Sequence, residues 1–269
     1  MRNSVVFALC AVCLAAGFTA AFLLAGTPGD EIDRDVIYQV STIDALLQGS
    51  SEGVMTYGEF RKHGDFGIAT FDHLDGEMIA LGGDFYQLRA DGQVVAVTDD
   101  MTTPFGTVTY FSPDFSFPVR YAANFSDFSS QAEEFLPSRN HLYAIQIHGD
   151  FPYVKARSIP RQETPTTRLV DAAANQSTFE FRQTRGTIVG FWTPDLVGGL
   201  NVPGFHLHFL TEDRTAGGHV LDLIVDDATV EIDSTSRFAL ALPEEGSFTT
   251  IDLSGDLSHE LAVAEQGSA

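Results

Sequence analysis

The sequence predicts an α+β fold that is mainly β, built from two packed β-sheet units with few short helices. About ten stretches have the apolar alternation of strands, whereas three have the features of short helices. Asp-Gly pairs at residues 75–76 and 91–92 lie between apolar runs, which is typical of β-hairpin turns. With 269 residues, 44% of them hydrophobic, the chain is long enough to bury a sizeable core.

Residues 1–26 form a leader that differs from the rest of the chain. A single arginine is followed by an apolar run over residues 5–25, as in a secretory signal peptide or a retained N-terminal anchor. We expect export and cleavage, which places the mature protein in the periplasm or outside the cell. A retained leader would instead anchor the protein, with membrane contact confined to residues 5–25.

Both cysteines of the chain, Cys10 and Cys13, lie in this leader. The mature chain therefore has neither a disulfide nor a thiolate that could bind a metal. Any metal site must be built from histidine and carboxylate side chains.

Each predicted helix combines a capping residue at its start with a stop residue at its end. The three helices are residues 41–49 from Ser41 to Gly49, residues 55–65 from Thr56 to Gly64, and residues 129–139 from Ser130 to Pro137.

The long strands that follow are interrupted once, by PRQETPTTRLVDAAANQ at 160–176, the longest weakly structured stretch. We place a domain boundary there. Residues 36–165 then form an N-terminal mixed β-sheet unit, and residues 175–269 form a C-terminal β unit that carries the candidate metal ligands. A single compact domain is the alternative.

The formal net charge of −22 bears on the class of partner. Such a field repels phosphate backbones, so the composition argues against nucleic-acid binding. It also opposes the binding of a small anionic substrate, which would therefore need a local arginine.

The segment GFHLHFLTEDRTAGGHVLD at 204–222 contains three of the eight histidines. His206 and His208 alternate with apolar residues, so on a strand both side chains point to the same face. Their Cα atoms are then about 6–7 Å apart, a gap across which two imidazoles can share one metal ion. The polar turn at 211–218 returns the chain, so His219 is expected to lie across from one of them.

Three histidines with an open fourth position are typical of a catalytic zinc site, and we predict Zn²⁺ on these β-strands. The spacing alone leaves the family open. A cupin has an HxH motif followed by a glutamate, which Glu212 matches, but its last histidine comes in a distant second motif. The alternatives are a cupin-like three-histidine oxygenase or isomerase, and an exported zinc-binding protein without catalytic activity.

Four motifs together resemble the α-acetolactate decarboxylase family. They occur in the family's order and extend over nearly all of residues 36–265. The motifs are LDGEMIALGGDFYQL at 74–88, VKARSIPRQ at 154–162, GTIVGFWTP at 186–194 and NVPGFHLHFLTEDRTAGGHVLD at 201–222.

The resemblance implies a homodimer with one Zn²⁺ per subunit and a set of site residues. By position, the zinc ligands are His206, His208 and His219, the active-site glutamate and arginine are Glu77 and Arg157, the pocket threonine is Thr70, and the C-terminal glutamate is Glu265, with Glu260 as a nearby rival.

The resemblance also implies a substrate, the 2-hydroxy-3-keto acid 2-acetolactate, and its decarboxylation to acetoin through an enediolate. In this chemistry zinc polarises the ketone, and the fork of Arg157 binds the carboxylate. Glu77 or Glu265 then delivers a proton to one face of the enediolate.

Overall fold

The computed structural model describes residues 35–266, so the predicted leader at residues 1–26 lies outside the described residues. Within that range, no helix is both long and apolar enough to cross a membrane. The α-helices of this range are α1 (Ile43–Leu47), α2 (Tyr57–Phe60), α3 (Phe125–Glu133), α4 (Leu169–Ala173) and α5 (Ser258–Gln266). Single 3-10 turns lie at Arg61–His63, Asp72–Leu74, Asp195–Val197 and Ser247–Thr249.

Strands dominate the described residues, which confirms the mainly β prediction. They are β1 (Ile37–Val40), β2 (Met55–Thr56), β3 (Phe66–Thr70), β4 (Glu77–Leu81), β5 (Asp84–Leu88), β6 (Val94–Ala96), β7 (Thr102–Thr103), β8 (Gly106–Thr109), β9 (Phe115–Ala122), β10 (Leu142–Ser158), β11 (Ser177–Thr193), β12 (Gly204–Thr211), β13 (Gly217–Thr235) and β14 (Phe238–Ala241).

Two large sheets carry most of these strands. The seven-stranded sheet has the order β14-β1-β8-β3-β4-β5-β6, and its pairs are antiparallel except β1–β14, which is parallel. In the five-stranded sheet, β10 pairs with both β11 and β13, and β12 pairs with the same two strands. These four strands therefore close into a ring, and β9 adds to β13.

The five-stranded sheet takes β9 and β10 from the predicted N-terminal unit and β11, β12 and β13 from the predicted C-terminal unit. The predicted boundary thus falls between β10 and β11, which are neighbours in one sheet. β14 also pairs with β1 from the other end of the described chain.

The two sheets face each other across a shared apolar cluster. Ile68 and Ile79 of the seven-stranded sheet are buried with Val189, Phe191 and Leu210 of the five-stranded sheet. Burial of this kind stabilises the fold by about 25 cal/mol per Å² of apolar surface. Three of the strands that meet here, β3, β4 and β12, also carry predicted site residues.

The predicted helix starts were right at one place and wrong at two. Thr56 caps α2 by accepting a hydrogen bond from the backbone N–H of Glu59 at 3.2 Å, which confirms that prediction. Ser41 does not cap α1, because it has a left-handed backbone (φ 59°) and the hydroxyl of Thr42 caps the helix instead.

Ser130 does not start α3, which begins earlier in the chain. The side chain of Asn124 accepts a hydrogen bond from the N–H of Asp127 at 2.8 Å and caps the helix there. Ser130 lies inside the helix, and its hydroxyl donates to the carbonyl of Ser126.

Two helices occur where the sequence predicted none. α4 lies within the stretch 160–176, and α5 lies in the tail. Both pack against α1 through one buried cluster, which includes Leu46, Leu169 and Ala264. This packing holds the C-terminal helix against the edge of the predicted site.

Candidate metal centre and active site

The three histidines form one cluster, which we call the three-histidine cluster (His206, His208 and His219). His206 and His208 share one face of β12, and the antiparallel register places His208 directly opposite His219 of β13. One ring nitrogen of each lies within 4.8 Å of the others. This is the arrangement predicted from the alternation of the strand and the turn that follows it.

Close backbone contacts explain why two glycines precede His219. A Cβ on Gly217 would lie 2.2 Å from the carbonyl oxygen of Phe209, and one on Gly218 would lie 2.5 Å from that of Arg157. Only glycine lets β13 approach both β12 and β10 this closely. The pair therefore brings His219 between the strands that carry His208 and Arg157.

The opposite face of β12 anchors the strand in the core. Leu207 and Phe209 are buried, and Phe205 packs against the same apolar cluster. The strand therefore directs its apolar side chains into the core of the five-stranded sheet and its two imidazoles into the space between the sheets.

Hydrogen bonding leaves nitrogens of the cluster free. His208 Nδ1 lies 2.8 Å from the carbonyl oxygen of Met78, and because a carbonyl only accepts, Nδ1 carries the hydrogen. His208 Nε2 is then an unprotonated, buried nitrogen with no partner, and His219 Nδ1 is also buried without one. A second hydrogen bond that orients a histidine in this way is usual for metal ligands.

The cluster holds its imidazoles in the neutral form. Burial, reinforced by the positive charge of Arg157, lowers the pKa of His206 to about 3. Burial also lowers the pKa values of His208 and His219 well below the ordinary value. Three neutral imidazoles, two of which have a buried nitrogen without a partner, fit a divalent cation, since metal binding requires the unprotonated ring.

Glu77 begins β4 beside this cluster. Its side chain is buried, Oε2 lies 3.8 Å from His208 Nε2, and Oε1 has no hydrogen-bond partner. Burial raises the pKa of Glu77 to about 7, Arg157 opposes this rise, and the charge of Glu265 adds to it. The group is therefore suited to holding a proton near neutral pH.

Arg157 lies near the end of β10, opposite His219 in the register of β10 and β13. Its side chain is 3% exposed, and Nη2 lies 3.5 Å from Glu265 Oε1. Nε and Nη1 have no partner in the protein. A buried guanidinium with free donors is costly unless an anion completes it, so the residue fits a carboxylate ligand.

Glu265 reaches the site from α5. Its Oε2 lies 3.5 Å from His206 Nε2 and 3.6 Å from His219 Nε2, and its backbone carbonyl accepts from His219 Nε2 at 3.1 Å. Burial raises the pKa of Glu265, against the opposing charge of Arg157. Glu260 lies near Arg168 instead, at 3.8 Å. The structure thus brings Glu265, not its rival, to the cluster.

The pocket between the sheets has a polar half and an apolar half. The polar half contains Glu77, Arg157, His206, His208 and Glu265. Thr70 also lines the pocket. The apolar half includes Ile43, Leu46, Ile68, Phe105, Ile159 and Leu169. Such a division suits a small ligand with a charged end and alkyl groups.

Comparison with known proteins decides the family. The model of the family described as alpha-acetolactate decarboxylase matches residues 37–255. The chain belongs to this family. The prediction from the four motifs is therefore confirmed, and the chain is an enzyme of the carboxy-lyase class.

Named relatives and solved structures agree with this assignment. An alpha-acetolactate decarboxylase of Methanosarcina mazei is 50% identical over 232 residues, which cover 86% of this chain and 81% of the relative. The one from Bacillus subtilis is 41% identical over 230 residues, 85% of this chain and 90% of the relative. A crystal structure of the Bacillus subtilis protein has a TM-score of 0.83, at 41% identity, and covers 87% of this chain and 100% of that chain.

Several parts of this family site carried no signal in the sequence read by itself. The apolar wall comes partly from α1 and α4. The carbonyl that orients His208 is a backbone group of Met78, so the residue type at this position does not reveal the contact. The helix α5, which carries Glu265, was not predicted either. Leu257 just before this helix and Leu261 within it, four residues apart, were the available signal.

Proposed function

We propose that the protein decarboxylates 2-acetolactate to acetoin and CO₂, with a Zn²⁺ ion held by His206, His208 and His219. One observation carries the proposal. Three neutral imidazoles, with ring nitrogens within 4.8 Å of one another, lie at a pocket that also contains a buried arginine and two glutamates with little exposure. The names of the relatives support the substrate.

Arg157 is the group that binds the substrate carboxylate. Its Nε and Nη1 atoms are buried and have no partner in the protein, so the guanidinium has free donors for charge-assisted hydrogen bonds to a carboxylate. It also supplies the local positive charge that an anionic substrate needs against the net charge of −22. The alkyl groups of the substrate then face the apolar half of the pocket.

The reaction requires an electron sink and a proton. The bond between the carboxylate carbon and C2 breaks, CO₂ leaves, and the electron pair moves into the adjacent ketone to give an enediolate. When bound, Zn²⁺ supplies the Lewis acidity that polarises the ketone. One proton then adds to carbon, so the anion of 2-acetolactate plus one proton gives acetoin and CO₂.

Glu77 is the first candidate to deliver that proton. Burial raises its pKa to about 7, and such a buried carboxyl group is suited to holding a proton near neutral pH. Glu265 is the second candidate, because its side chain has little exposure and Oε2 lies 3.5 Å from His206 Nε2. A proton donor fixed on one side of a planar enediolate produces one enantiomer.

The site also contains more than a zinc-sequestering protein needs. Metal storage requires the three-histidine cluster and a closing ligand, but it gives no role to a buried arginine with free donors. The presence of Arg157 and Glu77 in the same pocket supports chemistry on an anionic substrate.

The optical activity of the product tests this proposal. Purified protein is mixed with racemic 2-acetolactate under nitrogen, and acetoin is followed by circular dichroism with and without a chelator. Spontaneous decarboxylation gives racemic acetoin, whereas the enzyme is expected to give a growing signal that the chelator abolishes. The absence of any signal from protein with bound zinc would refute the proposal.

A further inference from the structure

The loop at residues 71–76 joins β3 to β4 and ends at Glu77. Three buried polar side chains donate hydrogen bonds to carbonyls at the ends of this loop. The three bonds are Tyr57 Oη to the Thr70 carbonyl at 2.9 Å, Thr70 Oγ1 to the Gly76 carbonyl at 2.8 Å, and Gln87 Nε2 to the Asp75 carbonyl at 2.6 Å. All three donors are at most 7% exposed, so each bond is shielded from water.

We propose that Tyr57, Thr70 and Gln87 are positioning residues that hold the carboxyl group of Glu77 in place for proton delivery. We call the three the loop clamp. The inference rests on the proposed function, because it assumes that Glu77 is the proton donor.

The carboxyl group of Glu77 is not held by hydrogen bonds of its own. Oε1 has no partner, and Oε2 lies 3.8 Å from His208 Nε2, which is beyond hydrogen-bond distance. Its position is therefore set by the backbone that carries it. A displacement of about 1 Å at a reacting group can cost about 10²-fold in rate, so a backbone held at both ends of the loop matters for catalysis.

The clamp acts on the backbone immediately before Glu77. The N–H of Gly76 donates to the carbonyl of Ile159 at 2.9 Å, while the carbonyl of Gly76 accepts from Thr70. Gly76 has φ +90°, and a Cβ there would lie 2.6 Å from the carbonyl oxygen of Leu88. Both polar groups of one glycine, in a conformation that favours glycine, are thus tied to neighbouring segments.

The clamp residues are poorly placed to bind the substrate. Tyr57 and Gln87 are not among the residues that line the pocket. Thr70 does line it, but its hydroxyl hydrogen is used on the Gly76 carbonyl, so only oxygen lone pairs remain. The substrate carboxylate needs donors, and a hydroxyl in this state provides none, so Thr70 is not a carboxylate-binding group.

Single substitutions that remove one donor each test the clamp. The variants are Tyr57→Phe, Thr70→Val and Gln87→Met, with Thr70→Ser as the matched control that keeps the hydroxyl. For decarboxylation of 2-acetolactate, each of the first three is expected to lower kcat by about 10- to 100-fold with KM within about twofold of wild type. Thr70→Ser is expected to retain most of kcat.

Combination with Glu77→Gln shows whether the clamp acts through Glu77. In that background the clamp substitutions are expected to cause no further loss, because the group that they position is already disabled. Losses that multiply with that of Glu77→Gln would overturn the inference. So would a rise in KM at unchanged kcat for Thr70→Val, or wild-type kcat in both Tyr57→Phe and Gln87→Met.

A crystal structure of Thr70→Val combined with Gln87→Met gives a test that needs no activity. The Glu77 backbone is expected to move by more than about 0.5 Å relative to the three-histidine cluster, the tolerance of a preorganised site. An unmoved Glu77 would overturn the clamp. Failure of the proposed function has a different result, since the wild-type protein would then give no optically active acetoin from 2-acetolactate.

Discussion

The polar half of the pocket has two parts that the chain builds differently, one from a single hairpin and one from distant segments. The three-histidine cluster comes from one hairpin, β12–β13, where alternation and register bring the side chains together. Glu77, Arg157 and Glu265 come from β4, β10 and α5, which are distant in the chain. The side predicted to hold the metal is thus locally encoded, whereas the side predicted to handle substrate and proton exists only after the sheets and the C-terminal helix have packed.

This difference suggests that the two sides fail differently. Damage to the hairpin is expected to remove the metal, and with it all activity. Damage to the other side is expected to leave the metal in place and to affect kcat or KM according to the residue. The following experiments are ordered by the size of the expected effect.

Replacing His208 with alanine removes one of three nitrogens and is expected to have the largest effect. Zinc content, measured by plasma mass spectrometry, should fall at least about 10-fold, and turnover should fall with it. His148→Ala is the matched control, because His148 lies on β10 outside the pocket and contacts Thr187 and Arg185. Full zinc content in His208→Ala would show that the residue is not a ligand.

Arg157→Gln leaves the metal site intact and removes the fork that binds the carboxylate. Charge-assisted hydrogen bonds contribute about 1.5–3 kcal/mol each, so kcat/KM should fall by at least about 10²-fold, mostly through KM. Arg182→Gln is the control, because Arg182 is exposed and pairs with Glu180 outside the pocket. Steady-state kinetics on 2-acetolactate measure both constants, and an unchanged KM would contradict the role of Arg157 in binding the carboxylate.

Leu261→Ala weakens the attachment of α5 without touching the polar half. Leu261 packs against the buried cluster shared with α1 and α4, and its truncation removes about 1–2 kcal/mol of apolar burial. Part of the population should then carry Glu265 away from the cluster. We expect kcat to fall about 3- to 10-fold at unchanged zinc content. A wild-type kcat would show that the packing of α5 through Leu261 does not affect turnover.

Asp233→Asn tests the scaffold at a distance from chemistry. Burial, together with the charges of Asp114 and neighbouring acids, raises the pKa of Asp233 to about 6. A carboxyl with a raised folded-state pKa stabilises the fold in its protonated form, and this stabilisation is lost as the pH rises through about 6.

Because Asn is neutral at every pH, the variant should melt about 2–5 °C above wild type at pH 7.5. The difference should shrink toward zero at pH 4, where wild-type Asp233 carries its proton. Melting curves across this range check the prediction, and turnover at pH 7.5 should match that of wild type. A difference in melting temperature that stays constant with pH would contradict it.

The sequence predicted the features that depend on local periodicity. The β-rich architecture, the shared face of His206 and His208, and the opposition of His219 all follow from alternation and one turn. The cap at Thr56 was also predicted from a short motif. Physical reasoning needs only neighbouring residues in each of these cases.

Features that depend on packing between distant segments could not be predicted in this way. The predicted helix cap at Ser41 was wrong because Ser41 itself has a left-handed backbone conformation. The predicted helix start at Ser130 was wrong because Asn124 caps the helix earlier in the chain. Glu77 and Arg157 were found only through the resemblance of their motifs. Their burial beside the histidines depends on how the two sheets face each other, which no local pattern encodes.

The most direct test of the account measures bound zinc and turnover together in Glu77→Gln. The account predicts zinc content equal to that of wild type, because Glu77 is not a ligand, and a loss in kcat of about 10²- to 10⁴-fold, because the proton donor is gone. Near-wild-type turnover with full zinc would contradict the central claim that Glu77 delivers the proton.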